Sequence, residues 1–158
     1  MQNLENYSKI LENTRSFYEK IGRVRCPALN NEYVHFNSEG FTHLLYKNKT
    51  PRTRNEILTK LKLVTRARDI VAKTTTYQEY DEALEMLTLK KMKRKSTESC
   101  IVKYWGIVAI HKERRLKVVI RQIGNGQKNF YSVIPCWSTS QYRDIKMVSN
   151  FKGNPHDD

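Results

Sequence analysis

The stretch LKVVIRQIGNGQKNFYSVIPCW, residues 116–137, decides the fold. Two runs rich in β-branched and aromatic residues flank Gly124-Asn125-Gly126, so the composition favours strands and the turn joins them as an antiparallel hairpin. Upstream, IVKYWGIVAIHK (101–112) has the same character and is separated from the hairpin by the polar KERR at 112–115. Together the three runs predict a three-stranded antiparallel meander in the C-terminal half.

The N-terminal half has a different period. Leu4, Tyr7, Ile10, Leu11, Phe17 and Tyr18 recur at helical spacing, which predicts an amphipathic helix within residues 1–22 that breaks near Gly22. Glu32 to Asn37 alternates as a short strand, with His35 facing away from Val34. Ser38 can cap a short helix running to Lys47, and the Thr50-Pro51 step ends it because proline disfavours helical geometry in the residue before it. A second helix is predicted from Arg54 to Ala72. Its apolar set is Ile57, Leu61, Val64, Ala67, Ile70 and Val71, leaving Lys60, Lys62, Arg66 and Arg68 on other faces. Helices followed by strands imply an α+β domain, its N-terminal helices laid on one face of an antiparallel sheet. Between the halves, YQEYDEALEMLTLKK fits a helix or a strand-flanked loop, and Lys90, Lys91, Lys93, Arg94 and Lys95 read as a solvated basic loop.

At 158 residues the chain is expected to form a single domain, with a core over residues 33–135 and a flexible tail at 150–158. An apolar share of 39% is too high for a fully disordered chain. Lys and Arg number 29 against 16 Asp and Glu, a net charge of +13 that makes a polyanion, and above all nucleic acid, the expected partner. Cys26, Cys100 and Cys136 are scattered and lack CxxC spacing, which argues against a zinc site or disulfide framework and for a reducing, cytoplasmic setting. The N-terminal residues are polar and no apolar run approaches membrane-spanning length, so no membrane association is expected.

No HExxH, phosphate-cradling GxxxxGK or dinucleotide fingerprint is present, so neither a metal nor a cofactor is expected. RNA can nevertheless be cleaved without a metal, because its 2'-hydroxyl can attack the adjacent phosphorus. The protein must then supply a proton acceptor, a proton donor and cations. His43 and Lys47 stand four apart and would share a helix face, with Arg52 or Arg54 reaching the same phosphate. His35 is a second proton carrier. Across the hairpin, Arg121 can stabilise a phosphorane, Ser132 can position the scissile group, and Asn129 and Tyr131 can hold or stack on a base. Lys60 and Arg66 add backbone contacts, within nine basic residues between His43 and Lys73 against only Glu56 and Asp69. Each residue also has an ordinary role open to it. A histidine on a short helix is often a surface or core-edge group, and Tyr104, Trp105 and Phe130 suit a core.

VHFNSEGFTHLLYK (34–47) followed by KVVIRQIGNGQKNFYSVIP (117–135) resembles the barnase, EndoU, colicin and RelE superfamily of small ribonucleases, in particular its phage and mobile-element branches. The resemblance spans His35 to Pro135. It implies a metal-independent endoribonuclease acting on transfer or messenger RNA, in the manner of a toxin held in check by an acidic immunity or antitoxin protein. It also puts His43 and Lys47 at the helix-borne catalytic positions and Arg121 and Ser132 at the sheet. Several branches have a histidine on the strand after the turn where this chain has Asn129, so either the domain is a binding relic or His35 takes over that duty. The other reading is a non-enzymatic, basic nucleic-acid-binding module.

Overall fold

The computed structural model describes residues 2–138; the tail expected at 150–158, with His156, lies outside the described residues. Helix α1 (Gln2–Ile21) stops at Gly22, whose φ of 62° is a left-handed conformation that glycine adopts without a Cβ clash. Strand β1 (Arg23–Cys26), a 3-10 turn (Pro27–Leu29) and β2 (Glu32–His35) form a hairpin, reversed by Asn30 and Asn31, both left-handed. Helix α2 (Ser38–Leu45) leads into a small ribbon of β3 (Tyr46–Lys47) and β4 (Thr50–Pro51), then into helix α3 (Arg54–Lys73). The remaining strands are β5 (Glu79–Lys91), β6 (Arg94–His111), β7 (Arg114–Ile123) and β8 (Lys128–Ser138).

The main sheet has the order β1-β2-β8-β7-β6-β5. Every neighbour is antiparallel except β2 and β8, which run parallel through Val34↔Lys128 and His35↔Asn129. The expected α+β class holds, and the expected meander comprises β6, β7 and β8, extended by β5 on one side.

Helices α1 and α3 cover one face. Leu61, Val64, Ala67, Ile70 and Val71 of α3 bury themselves against Ile107, Val118, Ile120 and Val133 of the sheet. Each fully buried aliphatic side chain contributes about 1.5–3 kcal/mol, far more than helix propensity does. Near the start of α2 the layer is aromatic. The rings of Phe36 and Phe130 stack at 4.9 Å, and Tyr18 meets Phe41 edge-on at 5.2 Å. A smaller apolar cluster, Val102, Tyr104 and Val119, lies on the opposite face with Tyr131 and Ile123 at its margin.

Three expectations are corrected. First, α2 ends at Leu45 rather than Lys47. Asn48 and Lys49 both adopt positive φ (48° and 66°), which folds the chain back so that Tyr46 pairs with Pro51 and Lys47 with Thr50. Second, Lys60 is buried at 6% exposure; its ammonium donates to Ser132 Oγ at 3.2 Å and to the Val133 carbonyl at 3.0 Å, partners that make burial tolerable. Third, the segment from Lys73 to Ser99 is neither a helix nor a loop for most of its length. β5 pairs with β6 over an unbroken ladder from Glu79↔Gly106 to Lys91↔Arg94, and ladder pairing overrides the weak helical tendency of YDEALEML.

Candidate active site

Helix α2 is clamped onto β8 by small-scale fit. Asn37, rather than the expected Ser38, caps it, its side-chain oxygen accepting from Gly40 N at 3.0 Å, while the Tyr18 hydroxyl donates to the Asn37 carbonyl at 2.7 Å. Gly40 lies so close to β8 that a Cβ there would come within 2.5 Å of both the Phe130 carbonyl oxygen and the Tyr18 hydroxyl. At the other end, Arg52 Nε donates to the His43 carbonyl at 3.2 Å, satisfying one of the helix's free C-terminal acceptors. With Phe41 and Leu44 buried in the core, Glu39 and His43, four apart, face the opposite side together.

The sheet side of the site depends on a β-bulge. Val119 pairs with Ser132 and Ile120 with Phe130, so Tyr131 is the extra residue of β8 at the bulge. Bulges re-aim side chains. Here the Tyr131 ring turns out beneath His43, with ring centroids 4.0 Å apart and an interplanar angle of 27°. The Arg121 guanidinium lies 4.6 Å from the same ring, and its Nη2 pairs with Glu39 Oε2 at 3.2 Å. Tyr104 meets Tyr131 edge-on at 5.6 Å, and its hydroxyl lies 3.3 Å from a Glu85 carboxylate oxygen. Burial raises the Tyr104 pKa well above its ordinary value, with Tyr131 and Glu85 adding to the effect and Arg121 opposing it, so this hydroxyl keeps its proton.

These groups line an open cleft of about 740 Å³, walled by Ser38, Glu39, Thr42 and His43 of α2, Tyr46, Asn48 and Lys49 of the β3–β4 ribbon, and Arg121 and Tyr131 of the sheet. Lys49 owes its place at the mouth to the left-handed turn. The cleft therefore combines a carboxylate, an imidazole, a guanidinium, an ammonium and an aromatic platform.

Of the residues singled out from sequence, His43, Arg121 and Tyr131 come together here. Lys47 does not, because α2 has ended before it and it stands exposed on β3. Ser132 is fully buried and engaged by Lys60, so it does not face the cleft as expected; the bulge sends Tyr131 outward instead. His35 and Asn129 share a cross-strand row with Arg121, in the register His35↔Asn129↔Arg121. That register places His35 two strands away, about 10 Å. Arg54 lies over the Tyr7 ring of α1 at 4.9 Å, Arg52 holds the end of α2, and Arg66 is half-buried on α3. Glu39 and Tyr46 are not among the residues the sequence marks, and Lys49 is marked only as one of the nine basic residues between His43 and Lys73. The helical i, i+4 relation of Glu39 to His43 was the available signal for the first.

Among the described residues, no group of three His, Cys, Asp or Glu side chains is gathered in a way that could hold a metal ion, and no helix is long and apolar enough to cross a membrane. No protein-family model, curated protein or solved structure matches the chain.

Proposed function

We propose that the cleft binds an RNA phosphodiester and cleaves it without a metal. The observation that carries this reading is the convergence of His43 and Arg121 on the ring of Tyr131, with Glu39 paired to Arg121. Glu39 takes the proton from the 2'-hydroxyl as that oxygen attacks phosphorus. His43, protonated, gives its proton to the departing 5'-oxygen, leaving a 2',3'-cyclic phosphate and a free 5'-hydroxyl. Arg121 and Lys49 offset the charge that builds on the phosphorane, and the exposed ring of Tyr46 offers a surface for a neighbouring base.

The test is incubation of purified protein with a defined RNA in EDTA, with end-group analysis of the fragments. Wild type should yield cyclic phosphate ends, with a bell-shaped pH profile, and His43→Ala should not. Cleavage that requires a divalent ion would overturn the mechanism. A second reading, binding without cleavage, is favoured by one observation: Glu39 already occupies Arg121 through the 3.2 Å ion pair, so the guanidinium is partly neutralised. That reading wins if wild type and His43→Ala bind RNA equally and neither cuts it.

A further inference from the structure

The hairpin of β5 and β6 outruns the rest of the sheet. β7 pairs with β6 only as far as Val102↔Ile123, whereas β5 and β6 continue from Leu84↔Ile101 to Lys91↔Arg94. Among the described residues no third strand joins that extension. It is a two-stranded arm, and it leaves the sheet at the end where Arg121 sits, since Tyr104 pairs with Arg121 just inside the arm's root. From Tyr104 to Arg94 the strand rises about 33 Å, so the arm holds its tip at a fixed distance from the cleft.

The tip carries Lys90, Lys91, Lys93, Arg94 and Lys95, and no acidic residue stands between Glu85 and Glu98. Three of its features work against stability. Lys90 and Lys95 are paired directly across the ladder and both are exposed, an opposition of like charges. Met92 and Lys93 make the reversal with φ of 45° and 71°, a left-handed geometry that neither residue type favours. Met92 is 98% exposed, so nothing is gained by burying it. A strained, self-repelling, solvent-facing tip has no core to serve, and a polyanion is what relieves its repulsion.

We infer that this arm is a second RNA contact, which grips the phosphate backbone of a helical stem while an unpaired part of the same RNA enters the cleft. The inference rests on the proposed function only for what happens in the cleft. A stem is the fitting partner because its phosphates are already held in place. A flexible strand spanning the same distance would have to give up its freedom to do so. The narrow major groove of an RNA helix keeps the arm on the phosphates, so the contact is indifferent to sequence.

The test compares full-length wild type with a combined Lys90→Glu, Lys93→Glu and Lys95→Glu variant, measuring affinity across a salt series for two probes: a hairpin RNA whose stem exceeds one helical turn, and a tetranucleotide. Charge reversal should weaken hairpin binding roughly 10- to 100-fold, lower its salt slope by about 3, and erase the preference for hairpin over tetranucleotide. The single variant Lys93→Gly guards against misfolding. Glycine suits the left-handed turn, so its melting temperature should rise while hairpin affinity falls. Undiminished hairpin binding overturns the inference, as does an equal loss for both probes, or a change in self-association in its place. If no RNA is cut but the tip variant selectively loses the hairpin, the arm stands and the cleavage reading falls. If cutting proceeds and hairpin binding is indifferent to the tip, the reverse holds.

Discussion

Glu39 on α2 and Arg121 on β7 form an ion pair at 3.2 Å although 82 positions separate them in the chain. The pair joins the helical wall of the cleft to its sheet wall. Glu39 is 67% exposed, so the bond is worth little as a strut and its consequence is chemical: each partner sets the charge the other presents to a ligand. Glu39→Gln should therefore slow RNA cleavage by about 10²–10⁴-fold while RNA binds more tightly, because Arg121 is released. Arg121→Ala should weaken both. Single-turnover rates alongside equilibrium binding separate the two effects, and a Glu39→Gln enzyme that cuts normally would remove the carboxylate from the mechanism.

Tyr131 is the shared floor of His43 and Arg121, and it acts through its ring. Tyr131→Phe keeps both ring contacts and should stay within a few-fold of wild-type cleavage. Tyr131→Ala removes them and should cost about 2 kcal/mol of stability together with most of the activity, read by denaturant melts and cleavage rates. A large loss in the phenylalanine variant would point to the hydroxyl as a proton carrier.

Gly40 is the point of closest approach between α2 and the sheet. In Gly40→Ala the new methyl group meets the Phe130 carbonyl oxygen, part of the backbone, and the Tyr18 hydroxyl, so α2 must shift. The expected cost is about 1–3 kcal/mol, accompanied by a drop in kcat larger than the change in KM, since Glu39 and His43 ride on that helix. Wild-type melting and kinetics in this variant would show that α2 is looser than its contacts indicate.

Stability should fall at alkaline pH. Burial raises the pKa of Tyr18 and Tyr104 above the ordinary 10.0 and that of Cys26 above the ordinary 9.0. The folded state therefore holds these protons to higher pH than the unfolded chain does. This contribution is complete below about pH 8, starts to decline as pH rises through the unfolded-state value of the Cys26 thiol, and declines further through those of the two tyrosines. Tyr18→Phe should flatten part of that decline while lowering stability at neutral pH by about 1 kcal/mol through the lost bond to Asn37. Melts from pH 7 to 11 provide the check.

Much of the architecture could be read in the sequence because it is written locally. The β-branched runs of β6, β7 and β8 and the helical period of Ile57 to Val71 each announce their element within a few residues. What could not be read depends on distant partners. The ladder that makes β5 a strand is supplied by β6. The burial of Lys60 depends on Ser132 and a carbonyl of β8, and the outward turn of Tyr131 depends on a bulge against Val119 and Ile120. The site was half legible for the same reason. Histidine and arginine stand out by residue type, whereas Glu39 acquires its significance from a charge that folding brings across the molecule. Lys47 was misplaced because the left-handed pair Asn48 and Lys49 ends the helix early.

The insertion of β8 between β2 and β7 also bears on how the protein is made. The cleft's helical wall leaves the ribosome before its floor, because Tyr131 lies on β8, the last of the described strands, and the first hairpin reaches the sheet only through β8. A nascent chain thus carries His43 through the synthesis of β5, β6 and β7 before the ring that lies beneath it is made. If the cleft cleaves RNA as proposed, the protein is born inert beside the RNA-rich machine that builds it and acquires its cleft only when translation of that strand is done.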